Sequence, residues 1–358
     1  MSNYADSHNL PPFLVTAVGA MPHKNAEEAV ELILQSLPTV PHIPQLSKLD
    51  PREQMWLQYT EGLPRFTVDF EQLTYKFNVS GDTSGDLERF YAAYLQINEG
   101  QSAEHFEITG EYGAGIHLFL DRIKQGAPKP PFIKVQVTGP LSFALTITDE
   151  EGKAIFYHPE FRDVAVKGMG LKAVWLVDLF KPYTDKVIVF FDEPSLSAYG
   201  TSAYLGVSKD DVIESLNDVI SMVSDRGGIS GVHCCGNTDW GLLAETATRI
   251  INFDAVDYME SMAIYKEQLE KFLGRGGVLA WGAVPNDQRV EEESCETVIV
   301  RIKKGLDLLE GTGIDRNLLK QRMIVTPACG CSGLTIEQTQ KAYAILSELD
   351  AKGESKIQ

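Results

Sequence analysis

The chain has 358 residues, of which 44% are hydrophobic and 23% charged, and this composition excludes a mainly disordered or fibrous protein. Its 32 basic and 50 acidic residues give a net charge of −18, which repels nucleic acid and anionic membrane surfaces. No run reaches the roughly 18 to 20 apolar residues of a membrane span, and residues 1–10 lack the basic and apolar regions of a signal peptide. We therefore predict a cytoplasmic protein that binds neither nucleic acid nor membranes.

Eight short apolar runs bounded by turn residues predict buried parallel strands. They cover residues 13–19, 40–46, 133–138, 187–192, 229–234, 253–258, 277–283 and 323–327. Helical patterns lie between most of them, and two begin with a capping box, Ser208 with Asp211 and Thr335 with Gln338. This alternation predicts an α/β protein, and eight βα units favour a closed (β/α)8 TIM barrel over an open doubly wound sheet.

Residues 47–131 are too many for one βα unit, so we predict an insertion between the early strands, near the barrel mouth. Within it, residues 66–77 alternate as a hairpin would, and residues 87–97 have the pattern of a helix. A separate small domain is the alternative. We expect a single barrel over residues 11–350, with loose tails at 1–10 and 351–358.

The cysteines, at positions 234, 235, 295, 329 and 331, are odd in number and lie in the last third of the chain. This is not the layout of a disulfide framework and favours metal binding or thiol chemistry.

Reactive groups of a barrel collect where its strands end. His233 and Cys235 stand two residues apart, so in a strand their side chains share one face, and Cys329 follows the eighth predicted strand. With Glu260, after the sixth, they form a set of ligands that suits tetrahedral zinc.

Each of these residues has an alternative interpretation. Cysteine is among the most buried residue types, so the His233 and Cys235 pair could be structural. Glu260 could be a hydrogen-bonded rim residue or a substrate contact. Cys331 could replace Cys329, and Cys295 lies in a predicted helix, where we treat it as structural.

Asp192 and Glu193 end the apolar fourth strand, an unfavourable position for two acids unless they meet a cation or hydrogen-bond donors. We predict that both are catalytic and that a substrate ammonium is a natural partner. The alternative is a rim carboxylate paired with the N-terminus of a neighbouring helix. Gly19 ends the first strand and permits close approach of a ligand to the backbone, although a simple turn is the alternative.

These motifs, taken in chain order, resemble those of a known family. They are residues 18–22 (Val-Gly-Ala-Met-Pro), 138–140 (Thr-Gly-Pro), 192–194 (Asp-Glu-Pro), 233–235 (His-Cys-Cys), 260–261 (Glu-Ser) and 327–330 (Pro-Ala-Cys-Gly). Together they resemble the catalytic barrel of cobalamin-independent methionine synthase, in a superfamily that also holds uroporphyrinogen decarboxylase and corrinoid-dependent methyltransferases. The resemblance covers residues 13–350.

The resemblance implies a zinc site formed by His233, Cys235, Glu260 and Cys329, at which a substrate thiol becomes a thiolate and attacks a methyl group. Metal coordination favours the deprotonated thiol at neutral pH, which agrees with this chemistry. The resemblance further implies that Asp192 binds the amino group of homocysteine and that the backbone of Gly19 and Ala20 binds its carboxylate.

Three departures from the family pattern matter. The full-length synthase has a second, N-terminal barrel that helps to hold polyglutamylated folate, and residues 1–358 include no such half. Residues 233–238 (His-Cys-Cys-Gly-Asn-Thr) also resemble a stretch of the corrinoid methyltransferases, so either methyltetrahydrofolate or a methylcorrinoid on a corrinoid protein is a candidate donor. Residues 283–288 contain no histidine where the synthase has an Asp-x-His segment, so any acid supplied there is missing or replaced.

We therefore expect a zinc-dependent methyltransferase that acts on a small-molecule thiol, with homocysteine as the leading acceptor and methionine as the product. The alternatives are a corrinoid-protein-dependent methyltransferase of another thiol and a non-catalytic barrel that binds zinc or a corrinoid. Porphyrinogen decarboxylation needs N-terminal arginines to hold several carboxylates, and the first arginine here is Arg52, which argues against that activity.

Overall fold

The structure, a computed structural model, describes residues 10–126 and 129–357. Seven parallel strands form one curled sheet, a half-barrel, in the order β1-β9-β8-β7-β6-β5-β4, and β2 pairs with β3 as an antiparallel hairpin. The strands are β1 (Leu14–Val15), β2 (Phe66–Asp69), β3 (Thr74–Phe77), β4 (Phe132–Thr138), β5 (Lys186–Asp192), β6 (Ile229–Cys234), β7 (Ile250–Asp254), β8 (Val278–Val284) and β9 (Met323–Pro327). This α/β sheet is consistent with a TIM-like barrel.

Twelve α-helices are present among the described residues, most of them between successive strands. They are α1 (Ala26–Ser36), α2 (Ser84–Asn98), α3 (Ala114–Lys124), α4 (Pro140–Thr146), α5 (Pro159–Phe180), α6 (Lys209–Asp225), α7 (Trp240–Glu245), α8 (Met259–Ala263), α9 (Lys266–Gly274), α10 (Cys295–Gly311), α11 (Arg316–Gln321) and α12 (Ile336–Ile357). None of the helices within residues 10–126 and 129–357 is both long and apolar enough to cross a membrane.

The second predicted strand, residues 40–46, is not a regular strand. It makes two isolated parallel bridges, one to Lys134 of β4 and one to Ala20, which follows β1. Pro41 and Pro44 interrupt the segment, because proline has no amide hydrogen with which to continue a ladder. The regular sheet therefore has seven strands instead of the predicted eight.

The sixth predicted strand is displaced along the chain. The pattern predicts residues 253–258, whereas β7 ends at Asp254. Oδ1 of Asp254 accepts hydrogen bonds from the amides of Val256 and Asp257, at 2.7 and 3.0 Å, and such a local turn competes with strand pairing. Asp254 therefore occupies the carboxyl end of the strand, and Glu260 lies farther along the chain, in α8.

Alternation along the strands separates two apolar cores. Outward-facing residues pack with the helices in the larger core, and inward-facing residues form a smaller one. The smaller core contains Leu10, Leu14, Val40, Ile188, Phe190, Ile229, Ile250, Val278, Ala280 and Ile324. Toward the carboxyl ends of β4, β5, β6 and β7, the inward-facing residues are polar. The sheet therefore has an apolar lower end and a polar upper end.

Residues of the predicted insertion pack against the elements around the sheet. Its hairpin and its helix α2 form where the pattern predicts them. Phe77 of the hairpin is buried against Phe143 and Phe161, with ring centroids 6.4 and 5.6 Å away. Thr138, at the end of β4, donates a hydrogen bond to the carbonyl oxygen of Met55. Residues 47–131 and the sheet with its helices thus share the larger core.

Both predicted capping boxes are present. The side chain of Ser208 bonds to the amide of Asp211, and the Asp211 carboxylate bonds back to the amide of Ser208. At 2.9 and 3.2 Å, Thr335 and Gln338 exchange the equivalent bonds before α12. These local bonds satisfy amides that have no partner within the helix.

The ends of the chain differ from the predicted tails. Helix α12 continues to Ile357, and this side chain is only 5% exposed. Burial of Ile357 stabilises the last turns, so residues 351–357 are helical instead of loose. Of the predicted tail at 1–10, residues 1–9 lie outside the described residues and Leu10 is buried.

Glu53, in the insertion, should make stability depend on pH. Its Oε2 accepts a hydrogen bond from the amide of Leu46 at 2.9 Å, and burial raises the pKa of Glu53 from 4.5 to about 7. Between these values the folded chain holds a proton that the unfolded chain has lost, so the free energy of unfolding should fall as the pH rises from about 4.5 to about 7. Urea unfolding at a series of pH values measures this decline. An equally steep decline in Glu53→Gln would contradict the assignment.

Candidate metal centre

Three side chains from distant parts of the sequence meet at the carboxyl ends of the strands. His233 belongs to β6, Cys235 follows that strand, and Cys329 follows β9. One ligand atom from each lies within 4.8 Å of the other two. Since β7 and β8 separate β6 from β9 in the sheet, the curl of the sheet brings these residues together.

Asn252 fixes the orientation of the His233 ring. Nδ1 of His233 lies 2.7 Å from Oδ1 of Asn252, while Nδ2 of Asn252 donates to the carbonyl oxygen of Ala280 and to Oγ1 of Thr326, both at 2.9 Å. Because both amide hydrogens are engaged, Oδ1 accepts and Nδ1 of His233 carries the proton. Nε2 is then a lone-pair donor, and it is buried without a hydrogen-bond partner.

Burial also keeps the His233 ring neutral. It lowers the pKa of His233 to about 4, and the charge of Lys134 acts in the same direction. A neutral imidazole with one nitrogen held by a hydrogen bond and the other available is the form that ligates metals.

The sulfur atoms of the two thiols lie within 4.8 Å of each other. Their interaction lowers the pKa of Cys235 and, together with burial, raises that of Cys329. One thiolate can therefore form without a metal, and a cation would favour a second. One neutral imidazole and two thiol sulfurs are the donors that zinc prefers.

The structure does not bring Glu260 into this group. Glu260 lies in α8 and is exposed, because β7 ends earlier than predicted. The acid at the end of β7 is Asp254, whose negative charge opposes ionisation of Cys235. Burial raises the pKa of Asp254. Asp254 thus occupies the end of the strand at which Glu260 was predicted to lie.

Asp192 and Glu193 face opposite sides of the sheet. Asp192 lines a cavity, and its Oδ1 is buried without a hydrogen-bond partner. Glu193 faces outward, where its carboxylate accepts from the amides of Leu141 and Ser142 at 3.0 and 2.7 Å. These amides begin α4, so Glu193 anchors a helix N-terminus, the alternative role, and is not among the residues that line the cavity.

The cavity above the strands has a volume of about 330 Å³. Its walls come from both the barrel and the insertion: Val18, Ala20, Gln45, Ser47, Gln54, Met55, Trp56, Asp192, Pro194, His233, Cys235, Cys329, Gly330 and Ser332. None of these residues is Lys or Arg, and Arg52 is engaged with Asp50 and Glu111 at 2.8 and 2.7 Å. This lining does not fit a porphyrinogen with several carboxylates.

Gly19 lies between two residues that line the cavity, Val18 and Ala20. Its φ is +135°, and a Cβ at this position would lie 2.4 Å from the side chain of Gln136. Only glycine therefore permits the turn to lie against β4.

Gly19→Ala is expected to lower the free energy of unfolding by about 2 to 4 kcal/mol, since both backbone strain and overlap with Gln136 oppose the added methyl group. Urea unfolding measures the change. Gly81 is a matched control, with φ +77° and no atom within 4 Å of an added Cβ, so Gly81→Ala should cost only the strain, about 1 kcal/mol. Equal losses in the two variants would show that the contact with Gln136 is unimportant.

Three polar residues of this region, Asn252, Lys134 and Gln136, were not predicted from the sequence. A signal was present for each. Asn252 interrupts an apolar run, and Lys134 and Gln136 alternate with Ile133, Val135 and Val137. Polar residues at every second position of a buried strand indicate a polar inner face.

The comparisons agree with this architecture at the level of fold. No protein-family model matches the chain, and no curated protein matches it in sequence. A B12-independent methionine synthase from Shewanella sp. W3-18-1, solved in complex with selenomethionine, is similar with a TM-score of 0.53 and 14% identity, over 96% of this chain and 98% of that chain. A candidate vitamin-B12-independent methionine synthase from Listeria monocytogenes has a TM-score of 0.51 and 11% identity, over 96% and 99%. The chain therefore has the fold of methionine synthase-like proteins.

Proposed function

We propose that this protein is a zinc-dependent methyltransferase that methylates the thiol of homocysteine and releases methionine. The observation that carries the proposal is the meeting of His233, Cys235 and Cys329 at a cavity that also presents Asp192. The fold-level similarity to two methionine synthase-like proteins supports the same reaction. We also propose that residues 40–46 complete the barrel as its eighth element.

His233, Cys235 and Cys329 would hold the zinc ion, since three protein ligands leave a coordination position for a substrate atom, as in other catalytic zinc sites. Bound zinc supplies positive charge that lowers the pKa of a coordinated thiol, so that a thiolate is available near neutral pH. Asn252 holds the His233 ring in the ligating tautomer. Residues 54–56 form one wall of the cavity at this site.

Asp192 would orient the substrate by binding its ammonium group. Its Oδ1 is buried without a hydrogen-bond partner, and the residue lines the cavity. A charged hydrogen bond from the substrate ammonium would offset the cost of burying the carboxylate. The amides of Gly19 and Ala20 would bind the substrate carboxylate, because no Lys or Arg lines the cavity. Two fixed contacts on the amino acid would then direct its sulfur toward the metal ligands.

Zinc-edge X-ray absorption, recorded with and without homocysteine, tests the proposal. A zinc ion with one nitrogen and two sulfur protein ligands should gain one sulfur ligand when homocysteine is added. An unchanged spectrum would instead favour a structural zinc site in a non-catalytic barrel. Methyltetrahydrofolate and methylcobalamin, supplied separately as donors, distinguish a folate-dependent from a corrinoid-dependent transfer through the methionine formed with each.

A further inference from the structure

Lys134 places a buried ammonium group close to the candidate substrate site. It lies in β4 and is fully buried. Nζ donates hydrogen bonds to the carbonyl oxygen of Val18 and to Oε1 of Gln136, the latter at 3.1 Å, and lies 4.8 Å from the centroid of the Phe190 ring. These hydrogen-bonding partners are neutral, and burial lowers the pKa of Lys134 to about 7, whereas the negative charge of Asp192 acts to raise it. Burial of an ammonium group is unfavourable unless a charge compensates it, and Asp192 of the cavity provides that charge.

Lys134 and Gln136 together support the turn at residues 18–20. Lys134 holds the carbonyl group of Val18, and the Gln136 side chain fills the space beside Gly19, within 2.4 Å of where a Cβ would be. Nε2 of Gln136 also donates to the carbonyl oxygen of Ile43 at 3.2 Å. The turn therefore rests on two polar side chains of one strand.

The same turn is bonded to the loop that carries Cys329. The amide of Cys331 donates to the carbonyl oxygen of Ala20 at 2.7 Å, and a Cβ on Gly330 would lie 2.8 Å from that of Ala20. Lys134 thus acts on a turn that lines the cavity and is bonded to the residues that follow Cys329.

The charge of Lys134 also compensates the acidity of the cavity. Asp192, Cys235 and Cys329 can each carry negative charge, and none of the lining residues is Lys or Arg. Burial raises the pKa of Asp192, which lines the cavity, and the charge of Lys134 opposes this shift. A substrate carboxylate that enters a protein of net charge −18 needs such a nearby cation.

We propose that Lys134 is a positioning residue that makes the cavity selective for thiols carrying an α-amino-acid carboxylate. It holds residues 18–20 in the conformation that presents their amides, and its charge stabilises the carboxylate bound there. This inference rests on the proposed function, since it assumes that an amino-acid thiol enters the cavity.

The test compares two thiols on the zinc-loaded full-length chain by titration calorimetry. Homocysteine carries the carboxylate, and 3-aminopropanethiol is the same molecule without it. The wild-type protein should bind homocysteine about tenfold more tightly or better, as a charge-assisted contact provides. Lys134→Met should weaken the binding of homocysteine but not that of 3-aminopropanethiol. The ratio of the two affinities should therefore come close to one.

Lys172 supplies a matched control. It is also buried, but it lies in α5, where Nζ donates to the carbonyl oxygen of Glu107 at 3.0 Å. Lys172→Met should leave the ratio of the two thiol affinities unchanged. If Lys134→Met does not fold, the same two thiols are compared on Lys134→Gln. This variant keeps a hydrogen-bond donor toward Val18 but loses the charge, so the ratio of the two affinities should fall.

Three outcomes would overturn the inference. An unchanged affinity ratio in the folded Lys134 variant would remove the role in selectivity, and an equal loss for both thiols would indicate general damage. A wild-type protein that binds neither thiol would overturn the proposed function as well. Hydrogen exchange then tests the supporting contact separately, because the amides of residues 19–21 should exchange faster in Lys134→Met than in Lys172→Met, and equal protection would contradict it.

Discussion

Cys329→Ser is expected to abolish stoichiometric zinc binding and thiol methylation while the chain remains folded. Cys329 is one of three candidate ligands, and a serine hydroxyl is a poor ligand for zinc at neutral pH. Loss of a group that only supports a ligand costs about 10- to 100-fold in metal affinity or activity, so loss of a ligand should cost about 100-fold or more. Metal analysis after dialysis measures the zinc content, and circular dichroism follows the fold.

Cys234→Ser is the matched control for this variant. Cys234 is adjacent to Cys235 but faces the outer core, where its Sγ donates to the carbonyl oxygen of Gly236 at 3.5 Å. Zinc content should therefore remain as in the wild-type protein. Full retention of zinc by Cys329→Ser would contradict the metal centre, and complete unfolding of that variant would indicate a structural instead of a catalytic ion.

Asp192→Asn is expected to lower kcat/KM for homocysteine by about 30-fold or more, mainly through KM. Removal of one partner from a buried, hydrogen-bonded charge pair costs about 2 to 5 kcal/mol. The substitution keeps the shape of the side chain and removes the charge that would bind the substrate ammonium. Steady-state kinetics with varied homocysteine measures the effect. An unchanged KM would show that Asp192 does not bind the amino group.

Glu193→Gln separates the two neighbouring acids. Since Glu193 accepts hydrogen bonds from the amides of Leu141 and Ser142, the variant should lower the free energy of unfolding by about 1 to 3 kcal/mol. We expect KM for homocysteine to change much less than in Asp192→Asn. A loss of kcat/KM as large as that of Asp192→Asn, in a stable variant, would restore the prediction that Glu193 is catalytic.

The strands could be predicted well where a short apolar run is bounded by turn residues. Residues 229–234 and 323–327 are β6 and β9 residue for residue, because buried parallel strands are short, apolar and bounded by turns. The first predicted strand, residues 13–19, is regular only at Leu14–Val15, so Gly19 lies beyond the end of β1. Two further differences have local causes that hydropathy does not report. Pro41 and Pro44 interrupt residues 40–46, and the turn at Asp254 ends β7 early.

The candidate site was also only partly predictable, because local patterns do not give the exact end of each strand. The shared face of His233 and Cys235 follows from the two-residue repeat of a strand, and Asp192 follows from its place at the end of an apolar run. The positions of Glu260 and Glu193 depended on where a strand ends and which way its last side chains point. An error of a few residues in the end of β7 was enough to exchange Asp254 for Glu260.

The kinds of chemical groups available, and the end of the barrel at which they gather, are properties of the linear chain, since they depend on residue type and local repeat. Which groups lie next to one another in space is decided only by the curled sheet. Curvature across β7 and β8 brings Cys329 to His233, Asn252 sets the tautomer of His233 from a neighbouring strand, and Lys134 reaches the turn at residues 18–20. Contacts between distant segments depend on register and curvature, which no local pattern of side chains encodes.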